Sequence, residues 1–469
     1  MGTQTAGPHK ADALVLFGIT GDLAEKMLLP ALYELARRGE LTARVVGVTR
    51  GGWTLRRLRE HARSAVTAQG PVDEAAFARF AALLRLATVD YEDPGSFRSV
   101  AEETRGCAWL SHYLAVPPAQ YVQAAEGLAA AGLNSDAWLV VEKPFGHDLA
   151  SARALQQDLT RHFPEYRLRR VDHFLGKNVV ENLLTFRRAN PLLDAVLDHK
   201  HTRGIQITMA ESFDVADRGG FYDATGCLRD VVQNHLLQLL AHLLMEAPRT
   251  ASAEDSLDER TRVLEAVRTV RPQDYVRGQY DGYLDVDGVR ADSVTETFTA
   301  LRLWAETDRW AGVPIVIRAG KTMPVTAIEI VLELRSPADD PRPFDGAETP
   351  APNLVRYRVS PRSGVTFSLV VQNGDAPAAL TQTEAAADFT GLTGDDTEAY
   401  QHVLAHALTG DPRQFTRMDM VEECWRIVGD ILDPSTAPVP YRPGTWGPRA
   451  ADQLTTDGSW HPLGVASGS

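Results

Sequence analysis

Cysteine is scarce in this chain. Three stand among 469 residues, at 107, 227 and 424, odd in number, far apart and without a CxxC pair. That excludes a disulfide framework and a thiolate zinc site, and it suits a reducing, cytoplasmic setting. Long apolar runs are missing too. No uninterrupted stretch reaches the ~18 apolar residues a membrane helix needs, and the opening MGTQTAGPHKAD lacks the apolar core of an export signal. A soluble protein without a membrane partner is expected. Positive charge is in deficit, with 48 basic against 62 acidic side chains and a net charge of −14, which argues against a nucleic-acid partner. An anionic small substrate needs only a local cluster of Lys, Arg and His. What is present in quantity is core material: 44% hydrophobic residues, enough for two or three domains.

The first part alternates strands and helices. Ala13 to Phe17 is an apolar run ended by Gly18, and Leu23 to Arg38 has helical spacing closed by Gly39. Arg44–Thr49, Leu110–Val116 and Ala137–Val141 read as further strands, and 53–67 as a basic helix. This pattern predicts a Rossmann-type, doubly wound parallel sheet over 1–172. Beyond it, 204–211, 296–304, 313–318, 328–334, 354–359 and 364–371 read as strands separated by loops. They predict a larger α+β domain over 173–469, with a mainly antiparallel sheet covered by helices at 231–245, 258–270, 396–409 and 419–433. The Pro- and Asp-rich stretch 336–353 reads as an exposed loop and the closing VASGS as disordered.

The helix RDVVQNHLLQLLAHLLMEAP is too apolar for a solvent face yet carries a line of polar groups. At ~100° per residue Asp230, Asn234, His235, Gln238 and His242 share an arc of roughly 140°. That arc lacks Lys and Glu and suits a cleft, where a histidine is a candidate proton acceptor; hydrogen-bonded core groups are the plainer reading, and His242 fits it.

In GITGDLA, Gly18, Gly21 and Ala24 lie between a strand and a helix start, where small residues admit a pyrophosphate to the helix N-terminus, although a structural tight turn gives the same pattern. The second strand ends at Arg50 where NAD enzymes carry an acid, and Arg56 and Arg57 follow, so NADP is favoured. In VEKPFG, Lys143 leaves the carboxyl edge of the sheet ahead of Pro144, which restricts its backbone. RVDHFLGKN then gathers Asp172, His173 and Lys177 in a short glycine-containing segment that suggests a site, a capped helix start being the structural alternative.

In that order and at those separations, GITGDLA, EKPFG, RVDHFLGK, RDVVQNH and VPIVIRAGK resemble the glucose-6-phosphate dehydrogenase family, and the similarity runs from about Ala13 through GTWGP and DGSWHP. The resemblance implies oxidation of glucose 6-phosphate at C1 to a lactone, with NADP as hydride acceptor and no metal, the first step of the oxidative pentose phosphate pathway. It implies His235 as general base, oriented by Asp172. A neutral imidazole, with an unperturbed pKa of ~6.5, is matched to that task. It implies Lys143, Glu211, Asp230 and Lys321 around the sugar, His173 and Lys177 on the 6-phosphate, and Gly18, Thr20, Gly21, Asp22, Leu23, Arg50 and Lys143 on the cofactor. Large sheet faces suggest a homodimer or homotetramer.

Three departures bear on the phosphate. Phe174 stands where the family usually has Tyr, Asn178 where it has Glu, and Thr326 where a basic residue often follows Lys321 by five. Each lost hydrogen bond to a charged group is worth about 1.5 to 3 kcal/mol. Two alternatives stay open: an unphosphorylated or modified hexose as substrate, or compensation by Arg187 or Arg188. A non-catalytic NADP-binding regulator is the rival from a different class, because fold does not fix function.

Overall fold

The structure, a computed structural model, describes residues 9–335, 351–372, 380–389, 391, 396–433 and 436–464. The loop expected at 336–353 falls mostly outside the described residues, as does the disordered tail expected at 465–469. The chain forms two compact units. The first takes Met1–Asn178, Pro248–Asp258 and Gly394–Glu422, and the second takes Val179–Ala247, Glu259–Thr393 and Glu423–Ser469.

In the first unit β1 (Ala13–Phe17), β2 (Arg44–Thr49), β3 (Leu84–Thr88), β4 (Leu110–Leu114), β5 (Ala137–Val141) and β6 (Leu168–Val171) are parallel. The order is β3-β2-β1-β4-β5-β6, closed by a short antiparallel strand, Phe415–Thr416. Strands such as ALVLF and AWLVV are continuously apolar because both faces are covered. Leu14 and Leu16 enter one core, while Ala13, Val15 and Phe17 enter the other. β3 and β6 have no strong apolar signal in the sequence, so Leu110–Leu114 is the fourth strand and VEKPFG follows the fifth. Helix Asp396–Thr409, expected to cover the second sheet, instead places Tyr400, Val403, Leu404, Ala407 and Leu408 in the first unit's core.

Among the described residues the second unit holds nine strands: β7 (Thr202–Ala210), β8 (Tyr275–Tyr280), β9 (Phe298–Leu303), β10 (Ile315–Gly320), β11 (Ala327–Leu334), β12 (Leu354–Ser360), β13 (Gly364–Gln372), β14 (Leu380–Asp388) and a last strand, Val439–Tyr441. They run in the order β14-β13-β12-β11-β7-β10-β9-β8 and then Val439–Tyr441. Pairing is antiparallel except at β7–β10 and at the last strand's contact with β8. The parallel β7–β10 pair positions Glu211 and Lys321. No helix among the described residues is long and apolar enough to cross a membrane.

Candidate active site

In the first unit the chain passes from β1 to β2 on one side and later starts β4 on the other, so the turn after β1 lies at the point where strand order reverses. Gly18 has φ +75°, and a Cβ there would stand 2.1 Å from the Ala115 carbonyl oxygen. Packing against its own chain therefore requires this glycine, so the structural-turn reading holds alongside any ligand role. Gly21 N–H donates to Gly18 O at 2.9 Å, the helix follows at once, and Thr20, Gly21, Asp22 and Leu23 are at least partly exposed. Ala24–Leu28 is wound as π-helix before α-helix takes over at Leu29.

Arg50 is exposed just beyond β2, and the RGGWT stretch after the strand has no carboxylate. Thr54 caps the next helix through the Arg57 N–H at 3.2 Å, and the Arg57 guanidinium lies 4.3 Å over the Trp53 ring. Arg56, by contrast, is tied to Glu60 at 2.8 Å.

Two neighbouring parallel strands deliver the next group. Val141 of β5 is in register with Arg170 of β6, so Glu142 and Lys143 leave β5 where β6 ends at Val171 and Asp172 leaves it. The Lys143–Pro144 bond is cis. Asp172, only 3% exposed, accepts the Phe174 N–H at 3.0 Å and so caps the turn through Gly176 while its carboxylate is fixed. Gly176 cannot carry a side chain, because a Cβ would meet the Ala399 carbonyl oxygen at 2.6 Å. Behind that turn, His173 lies 5.8 Å from Tyr400, ring planes 10° apart, and the Lys177 ammonium sits 5.1 Å from the Phe174 ring centre.

The second unit repeats the device. Gly320 of β10 pairs with Ala210 of the parallel β7, so Lys321 and Glu211 emerge together and meet at 2.7 Å. The ammonium also lies 4.7 Å from the Phe213 ring and 5.5 Å from the Tyr222 ring. Burial pushes the Tyr222 phenol well up, helped by the nearby carboxylates Asp230, Glu211 and Glu296. Glu211, Asp230 and Lys321 thus share one neighbourhood. Thr322, at φ +51°, is held there by its N–H on Phe213 O at 3.0 Å, a strained turn of the kind found at functional sites.

The polar helix differs from its expected winding. Leu228–Leu236 is π-helical and only Leu237–Leu244 is α-helical. The 100° projection therefore fails over the first part, and the five-residue step of a π-turn puts Asp230 and His235 on one face. Asn234 spends its side chain on the helix itself, donating to Arg229 O at 3.1 Å and accepting the His235 N–H at 2.6 Å. His235 and Gln238 are each 2% exposed. His242 bonds Gln238 O at 2.9 Å, in keeping with its plainer reading. At the start of the π-segment Glu296 takes the Leu228 N–H on its carboxylate and the Cys227 N–H on its carbonyl, both at 3.0 Å.

Two family models match the chain: the glucose-6-phosphate dehydrogenase NAD binding domain over 15–182 and the C-terminal domain over 184–461. A glucose-6-phosphate 1-dehydrogenase 1 from Mycobacterium tuberculosis is 41% identical over 450 residues, covering 96% of this chain and 95% of the relative. The chain belongs to the glucose-6-phosphate dehydrogenase family. Among solved structures, a glucose-6-phosphate 1-dehydrogenase from Mycobacterium avium superimposes with a TM-score of 0.89 at 40% identity, over 97% of this chain and all (100%) of that one. A glucose-6-phosphate dehydrogenase in complex with its substrate glucose-6-phosphate gives 0.88 at 30% identity, over 98% and 100% of the two chains.

Within this family chain the departures take definite places. Phe174 is 1% exposed and serves the core. Thr326 gives its hydroxyl oxygen to the Ser212 N–H at 2.9 Å and lies 2.8 Å from the Ser212 hydroxyl. Arg187 cannot compensate for lost phosphate contacts, because it is 2% exposed and donates to Leu243 O and Met245 O at 2.6 and 2.8 Å. Arg188 is exposed. Sequence reasoning missed Glu142, Tyr113 and Glu296. A charge directly after the fully apolar AWLVV is the signal that points to Glu142; nothing local points to Glu296.

Proposed function

We propose that the chain oxidises glucose 6-phosphate at C1 to 6-phosphogluconolactone with NADP as its nucleotide. The match to glucose-6-phosphate dehydrogenases over 96% of the chain carries this reading. When bound, NADP supplies the hydride acceptor. His235 takes the proton of the C1 hydroxyl as the carbonyl forms, and the ionised Asp172 sets the imidazole tautomer and offsets the charge it gains. The requirement on Asp172 is a fixed carboxylate, and its bond to the Phe174 N–H supports that. Lys143, Glu211, Asp230 and Lys321 hold the sugar hydroxyls, His173 and Lys177 the 6-phosphate. No metal is called for, since proton and hydride both have acceptors.

Gly18, Thr20, Gly21, Asp22, Leu23 and Lys143 bind the cofactor, and Arg50 accepts its 2′-phosphate. The absence of a carboxylate from 50–54, together with Arg57 on Trp53, favours that phosphate over a free ribose hydroxyl. Free cysteines suit a cytoplasmic enzyme of the pentose phosphate pathway. β14 ends its sheet and is exposed along nearly its whole length, which supports a homodimer or homotetramer built on sheet pairing. One observation favours a second reading, a modified or unphosphorylated hexose: Thr326 offers no cation, and its hydroxyl is engaged by Ser212. The deciding test is a panel of glucose 6-phosphate, glucose and glucosamine 6-phosphate with NADP and NAD, followed by reduced-nicotinamide absorbance. Fastest turnover of glucose 6-phosphate with NADP supports the first reading. Turnover of none supports a non-catalytic regulator.

A further inference from the structure

Glu142 is held through both its side chain and its backbone. Its carboxylate accepts the Tyr113 hydroxyl at 2.6 Å, and its carbonyl accepts the Tyr121 hydroxyl at 2.7 Å. The carboxylate also takes the backbone N–H of Lys143. Tyr113 and Tyr121 are fully buried at 0% exposure and Glu142 is 7% exposed. The peptide leading into Lys143 is thus held on both sides by the hydroxyls of two tyrosines whose rings are fixed in the two cores of the first unit. Glu142 and Lys143 follow β5 where Asp172 follows the adjacent β6, and the charges of Lys143 and Asp172 act on the Glu142 carboxyl in opposite senses.

We propose that Glu142 is a positioning residue of the reaction: in its ionised form it fixes Lys143 toward the sugar, and on protonation it lets that lysine go. This rests on the roles given above to Lys143 and Asp172. The groups facing Glu142 are Tyr113 from β4, Tyr121 from helix Tyr121–Ala130, Lys143 and Asp172, with Tyr400 of helix Asp396–Thr409 facing Tyr113 in turn. Burial raises the Glu142 carboxyl from the ordinary 4.5 to about 7, against the pull of Tyr113 and Lys143 and with the push of Asp172. Protonation therefore falls near neutrality, and the Tyr113 hydroxyl is the strongest single contact that keeps it from occurring at still higher pH.

The experiment is the pH profile of kcat/KM for glucose 6-phosphate in the parent, Glu142→Gln and Tyr113→Phe. Gln keeps size and accepts from Tyr113 but cannot ionise. It should behave at every pH as the protonated parent does, with KM raised roughly tenfold at pH 8, the scale of one charge-assisted contact. Its acid limb should lose one ionisation, the limiting slope dropping from two to one. Tyr113→Phe should keep that ionisation and move it upward by about one pH unit, as removal of a hydrogen bond to the charged form requires. A merely structural glutamate would give both variants the parent's limb. Should Glu142→Gln fail to fold, the displaced limb of Tyr113→Phe decides alone. Parental profiles in the folded variants overturn the proposal; if Asp172→Asn still abolishes turnover, the dehydrogenase reading survives that loss, whereas parental turnover by Asp172→Asn removes the reading itself.

Discussion

Lys321 Nζ and Glu211 Oε2 stand 2.7 Å apart because each is the first residue beyond one of two neighbouring parallel strands whose final partners are Gly320 and Ala210. Their side chains are 9% and 19% exposed, so neither charge is well served by water. Removing one partner leaves the other desolvated and unpaired, which costs far more than breaking a surface pair. Lys321→Gln should raise the KM for glucose 6-phosphate by roughly 10- to 100-fold, the scale of a lost contact to a charged group, and leave the KM for NADP near the parent value. Equal effects on both would detach this pair from the sugar.

Thr326 tests the phosphate question. Its exposed hydroxyl is spent on Ser212, so a cation placed there sacrifices little. Thr326→Lys should lower the KM for glucose 6-phosphate by roughly tenfold and leave that for glucose unchanged, because only the phosphorylated sugar gains a charged partner. If both sugars respond alike, position 326 does not face the phosphate.

Arg50 tests the cofactor assignment. Arg50→Ala should raise the KM for NADP by roughly 10- to 100-fold with a much smaller change for NAD, since a cation pairs with a 2′-phosphate and gains nothing from a hydroxyl. Initial rates with both nucleotides measure it, and a parallel loss for the two would mean that Arg50 serves the loop and not the phosphate.

Glu142 also carries a stability signature. Burial lifts its carboxyl from 4.5 to about 7 on folding, so between those values the folded chain keeps a proton the unfolded chain has released. Stability attributable to this group therefore falls as pH rises through that window. The Glu142→Gln variant lacks the penalty, and its Tm relative to the parent should climb between pH 4.5 and 8 by the equivalent of about 3 kcal/mol. A pH-independent Tm difference would contradict the assigned ionisation.

The sequence made some of this architecture readable and hid the rest for identifiable reasons. ALVLF and AWLVV announce themselves because a parallel sheet covered on both faces needs continuous apolar runs. LRLAT and LRRV do not, since polar residues interrupt them, and so two strands of the first sheet went unseen. The motifs carrying Asp172, Lys143 and His235 could be found in order along the chain. What could not be read was the winding of the helix that bears His235: a π-segment preserves composition while changing which residues share a face, and only the spacing of five between Asp230 and His235 hints at it. The pairing of Glu211 with Lys321, 110 positions apart, depends on strand register, which no local pattern encodes. The placement of helix Asp396–Thr409 in the nucleotide unit is likewise a long-range outcome.

The central claim is that His235 removes the C1 hydroxyl proton of glucose 6-phosphate. Steady-state NADPH formation by His235→Asn, set beside equilibrium binding of glucose 6-phosphate to the same folded variant, tests it most directly. We expect kcat to fall by at least ~10²-fold while the sugar binds within a few-fold of the parent. A variant that binds and turns over like the parent would contradict the account.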